Sequence, residues 1–166
     1  SAGMRGRGPA FPRRVRAGKF VFRDPLCTCA LLYILLYFDG SGFLRLGLLA
    51  AALHECGHIA VFWLLFRRLP VVEVTMTGFC MRTAGLRLSP GRRFWLAAAG
   101  PGMNALLAAV WCARVSARLT VGDAAFLAAN VLTGVFNLLP VPPLDGAQML
   151  GAGWEALTKK LQSAPK

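Results

Sequence analysis

The chain is 166 residues long, 56% hydrophobic and only 16% charged, with a mean hydropathy of +0.54. A soluble domain sits nearer ~45–50% apolar and ~25% charged, and the apolar residues here come in long blocks, so the composition excludes an ordinary soluble domain and points to a single-domain integral membrane protein. The net charge of +12 does not signal nucleic acid, because the basic residues flank apolar blocks and fit topology signals and anionic lipid headgroups better.

Residues 1–23 carry Arg5, Arg7, Arg13, Arg14, Arg16, Lys19 and Arg23 among Gly and Pro, and read as a flexible or surface-lying arm. No cleavable signal peptide is expected, since no small-residue cleavage site follows the first apolar run. Residues 26–38 make a first apolar helix, short of the ~20 residues a full span needs. Asp39-Gly40-Ser41-Gly42 is a tight turn, and the run 43–66 is long enough to cross. Arg67 and Arg68 end it, and Pro70 prevents its continuation. Residues 71–83 are β-branched and roughly alternating, with Gly78 as a bend, which favours strands. An open strand edge cannot face lipid, so this piece belongs at the interface or in a protein-lined cavity.

A second full span is expected over 94–112, which contains Gly100-Pro101-Gly102-Met103-Asn104, and a third over 124–139. Pro140-Val141-Pro142-Pro143-Leu144-Asp145-Gly146 breaks the helix, which resumes as a short one over 147–161 with Trp154 as an interface anchor. The basic residues concentrate in the arm, the 67–93 connection and the C-terminus, which places both termini in the cytoplasm. The expected fold is a mainly α integral membrane protein. It has about four transmembrane helices, a small membrane-associated β-sheet and a broken last core helix. Its organisation is a basic cytoplasmic arm (1–23), one membrane domain (24–161) and a tail (162–166). The five cysteines, Cys27, Cys29, Cys56, Cys80 and Cys112, lack metal-finger spacing and read as small buried hydrophobes in a reducing setting.

The chemistry concentrates in His54-Glu55-Cys56-Gly57-His58, which holds both histidines of the chain. Histidines at i and i+4 share a helical face, a spacing that chelates Zn²⁺, and Glu55 beside them can act as general base on metal-bound water. Ionisable groups inside an apolar span default to a functional site, although satisfied polar groups between helices are the plainer alternative. A catalytic zinc needs three protein ligands and an open position. Cys56, at i+2 from His54, points to another face. Of the seven acidic residues, Asp24, Asp39, Asp123 and Glu155 lie near span ends and Glu73 in the strand-like piece. Asp145 remains, as a ligand candidate or as a cap after the proline turn.

These residues, with Gly100 to Asn104 and Asn137-Leu138-Leu139-Pro140-Val141-Pro142-Pro143-Leu144-Asp145-Gly146, resemble the three ordered motifs of the site-2 protease family, over about residues 43–149. The resemblance implies a zinc intramembrane metalloprotease with one Zn²⁺ per chain. His54, His58 and Asp145 would be the ligands and Glu55 the catalytic base. Asn137 would bind the substrate backbone or the oxyanion, unless it simply ties off a carbonyl at the helix break. Gly100 and Asn104 fit close helix packing with a polar cross-link. The chain is most similar to the bacterial branch that includes sporulation-factor processing proteases. No PDZ insertion is expected, nor a CBS domain after Leu161. That branch implies a bacterial inner-membrane location and a transmembrane protein substrate, such as a membrane-anchored sigma or anti-sigma factor, with no nucleic-acid partner. The alternative is a zinc-binding membrane protein without proteolysis, a carrier or an inactive regulator. A carrier would repeat its ligands across two halves, and no repeat is evident.

Overall fold

A long helix, Pro90–Ala117 (α3), forms the centre of the computed structural model, which describes residues 14–75, 78–82 and 86–163. Ahead of it come strands Arg14–Ala17 (β1) and Phe20–Arg23 (β2), helices Pro25–Phe38 (α1) and Phe43–Phe66 (α2), and strands Val71–Thr75 (β3) and Gly78–Arg82 (β4). Helices Val121–Asn137 (α4) and Asp145–Gln162 (α5) follow. Helix α3 packs against α2, α4 and α5, and α2 also packs on α4.

Capping explains why the helices outrun their apolar cores. Ser89 is extended, its hydroxyl accepts from the Arg92 N–H at 3.4 Å, and Pro90 occupies the first turn where its missing N–H costs nothing. Helix α3 therefore starts four residues before the expected 94. Thr120 likewise accepts from the Asp123 N–H at 3.1 Å, and α4 begins at Val121.

The helix contacts are built from small residues. Ala50, Gly57, Ala97 and Gly100 are buried, and a Cβ added at Gly57 would lie 2.6 Å from the Ala99 carbonyl oxygen and 2.9 Å from Met103 Cβ. In lipid, apolar side chains gain nothing by leaving one another's company, so close backbone approach and polar ties decide helix pairing. Many large apolar side chains point outward: Leu132 is 70% exposed and Leu106 61%. An apolar surface of this extent marks faces that a membrane or a partner covers. Helices α2 and α3, of 24 and 28 residues, are long and apolar enough to cross. Two more, α1 and α4, are shorter apolar helices of 14 and 17 residues. By length and composition, then, two of the expected four spans stand out.

The sheet is larger than residues 71–83 suggested. Its order is β1-β2-β3-β4; β2 and β3 run parallel and the outer pairs antiparallel. The second half of the basic arm is therefore a hairpin docked on β3, while residues 1–13 lie outside the described residues. The physical reason is Glu73, only 4% exposed. Arg23 Nε lies 2.8 Å and Arg14 Nη2 3.9 Å from its carboxylate, so two arm arginines neutralise a buried charge that could not stand alone. The cysteines also depart from expectation. Cys27, Cys29, Cys56 and Cys112 are exposed, on helix faces turned outward, where a thiol meets lipid as readily as any small apolar group.

Candidate metal centre

His54 lies midway along α2, about 17 Å from either end at 1.5 Å per residue. Both imidazoles of the HExxH pair face α3. Their rings meet edge-on at 4.8 Å between centroids, and both side chains are buried. They fit only because residue 100 is glycine: a Cβ there would collide with Nε2 of His54 and of His58. Gly100 is therefore more than a packing residue, since it makes the space in which the imidazoles sit.

Asp145 arrives from the other end of the chain. Helix α4 stops at Asn137, the proline-rich stretch 138–144 turns the chain, and α5 starts at Asp145 with Leu144 as its extended cap. Asp145 is thus the first residue of a helix, where a carboxylate is favoured by the helix dipole, rather than a loop residue or the cap itself. Gly146 lets this happen, because a Cβ at that position would overlap the Leu138 carbonyl. Asp145 Oδ2 lies 3.0 Å from His54 Nε2 and 3.3 Å from His58 Nε2, and the two Nε2 atoms are 3.2 Å apart.

The outer nitrogens reveal what this triangle is for. His58 Nδ1 sits 2.8 Å from the Leu96 carbonyl oxygen, and His54 Nδ1 lies 2.6 Å from Asn104 Oδ1. Both partners are oxygens that accept, so each Nδ1 carries a proton, and a ring with no second proton would turn its Nε2 lone pair inward. In that state two lone pairs and a carboxylate oxygen converge, an arrangement that suits a cation. Ligands about 2.0–2.1 Å from a tetrahedral zinc stand about 3.3 Å apart, and the observed 3.0–3.3 Å matches this spacing. The three residues form a group able to hold a metal ion. Two histidines and a carboxylate are the donor set of a catalytic zinc with one position open to water.

The remaining candidates fall around this core. Glu55 is half-buried on α2 beside His54, and Cys56 is exposed on another face, so it is no ligand. Asn137 donates its amide N–H to the Thr133 carbonyl at 2.9 Å in its own helix. Asn104 does more than cross-link helices, since its Oδ1 holds the His54 imidazole at Nδ1. Beside Asp145 an apolar groove of about 500 Å³ runs between Phe94 of α3 and Leu150 and Trp154 of α5.

A family model for Peptidase family M50 matches residues 112–166, the part that contains Asp145. Among solved structures the chain is similar to a site-2 protease from Methanocaldococcus jannaschii, at 19% identity and a TM-score of 0.61 over 89% of this chain and 72% of that one. No curated protein sequence matches the chain. One of these likenesses comes from the C-terminal third of the sequence and the other is a likeness of fold.

Proposed function

We propose that the chain is a zinc-dependent intramembrane endopeptidase, hydrolysing a peptide bond in or near a transmembrane segment of another membrane protein. The observation that supports this reading best is the inward triangle of His54 Nε2, His58 Nε2 and Asp145 Oδ2, midway along the apolar helix α2 with Glu55 alongside. Zinc held by these three atoms would polarise the scissile carbonyl and bring the pKa of its water toward ~7. The rest is the work of the chain's own groups. The Glu55 carboxylate takes the water proton and returns it to the leaving amine. The Leu96 carbonyl and Asn104 hold the two imidazoles still, and Gly100 keeps their space open.

Peptide bonds within a helix are shielded by their own hydrogen bonds, so the substrate has to unwind locally. Strand β4 ends the sheet and offers a backbone edge to which an extended segment could add. The groove beside Asp145 is lined mainly by apolar side chains and suits those of a membrane segment. Asn137 is assigned to the substrate backbone, and Asn137→Ala should raise KM more than it lowers kcat. The inner membrane of a bacterium, with both termini in the cytoplasm, is the proposed location.

The test is Glu55→Gln, assayed in liposomes with a single-span substrate. Zinc content equal to wild type with cleavage lost supports the assignment. Undiminished cleavage with zinc retained would sink it.

A further inference from the structure

We infer that Asn130, on α4, is a positioning residue for the metal centre: with Asn104 it forms a two-link amide relay that fixes which nitrogen of His54 faces the ligand triangle. The relay concerns the site proposed above but is read from hydrogen-bond direction alone. Asn130 is 0% and Asn104 1% exposed, and polar groups sealed this deeply are hydrogen-bonded. Here the partners also dictate direction.

Asn130 Nδ2 donates to the Phe126 carbonyl, 2.9 Å away and one turn back on α4. A carbonyl can only accept, so the amide nitrogen belongs on that side and Oδ1 must face α3. There it accepts from Asn104 Nδ2 at 3.0 Å, which also donates to the Ala50 carbonyl of α2 at 3.3 Å. Two acceptors on one side fix the Asn104 amide in turn, and its Oδ1 is left facing His54 Nδ1 at 2.6 Å. Flipping Asn104 would set its oxygen against two oxygens. The proton on His54 is therefore held at Nδ1 by a chain of fixed acceptors that begins on α4, and Nε2 is left to the metal.

His58 obtains the same result from the Leu96 backbone, which no substitution removes. His54 depends on two side chains. Gly134 makes the approach possible, since a Cβ there would press on Asn104 Cβ at 3.2 Å. Without Asn130, Asn104 Nδ2 keeps only its longer bond to Ala50, and the amide is held less firmly against turning.

The experiment uses the full chain in detergent with ¹⁵N-labelled histidine, read by NMR, together with zinc affinity by chelator competition. Only two histidines contribute signals, and His58 serves as the internal reference. Asn104→Leu should weaken zinc up to about 100-fold and Asn130→Leu about 10-fold. In both variants the Nδ1-protonated pattern of His54 should be lost while that of His58 stays. Unchanged affinity with an unchanged His54 pattern in Asn130→Leu would overturn the relay. So would equal disturbance of both histidines, which would mean a general loosening of the helices. Should the wild-type chain take up no zinc, the metal reading fails, and the ring-nitrogen pattern decides the relay by itself.

Discussion

Gly100→Ala is the smallest change that should dismantle the centre without touching a ligand. The added methyl would fall on Nε2 of both histidines, far inside van der Waals contact. Relaxing to the ~3.5 Å separation of unstrained heavy atoms requires a movement of about 1 Å. Metal sites tolerate only about 0.2 Å in ligand distance, and the three ligand atoms are already drawn together at 3.0–3.3 Å. One imidazole must therefore leave the triangle or α3 must back away from α2. A misplacement of this size costs about 100-fold in rate even where chemistry is intact, so cleavage should fall by at least that much. Zinc affinity should drop further than the ~10–100-fold typical of outer-sphere changes. Overpacking itself costs about 1–3 kcal/mol, so a melting curve must accompany the metal analysis. A folded Gly100→Ala protein with wild-type zinc affinity would show that the histidines do not meet at this point, and the reasoning would fail.

Other substitutions probe the remaining supports. Gly146→Ala forces the start of α5 off the Leu138 carbonyl and should release zinc about as readily as Asp145→Ala; metal content near wild type would mean that the 138–146 turn has slack. Cys56→Ser should leave zinc content and cleavage unchanged, because the thiol lies on the outer face of α2, and a loss of metal would reinstate Cys56 as a ligand. Glu73→Ala leaves Arg14 and Arg23 opposed across β1 and β2. Amide exchange in residues 20–23 should then speed up by roughly tenfold, the equivalent of ~1.4 kcal/mol in local opening; protection equal to wild type would refute that account of the hairpin.

Much of the site could be read from the sequence because lipid removes the ambiguity that soluble cores allow. An imidazole pair in an apolar run, and a proline-broken helix ending in Asp145-Gly146, have few uses other than a polar centre. The hairpin of residues 14–23 could not be read so easily. A four-residue strand carries little pattern, and its pairing partner, β3, lies fifty residues further on. The tie through Glu73 depends on that pairing, so composition alone showed only an arginine-rich arm. Asn104 read as a cross-link without a direction, since an amide in sequence does not say what it faces. Asn130 escaped notice, yet the available signal was of the kind that exposed His54: a polar side chain midway along the apolar run 124–139.

The measurement that bears most directly on the account is zinc X-ray absorption on the purified full chain, with metal quantified per chain. Two imidazole nitrogens, a carboxylate oxygen and a further light-atom ligand around one zinc per chain are predicted, with one ligand lost in Asp145→Ala. A sulfur ligand, or an identical zinc shell after Asp145→Ala, would contradict the claim that His54, His58 and Asp145 together hold the catalytic metal.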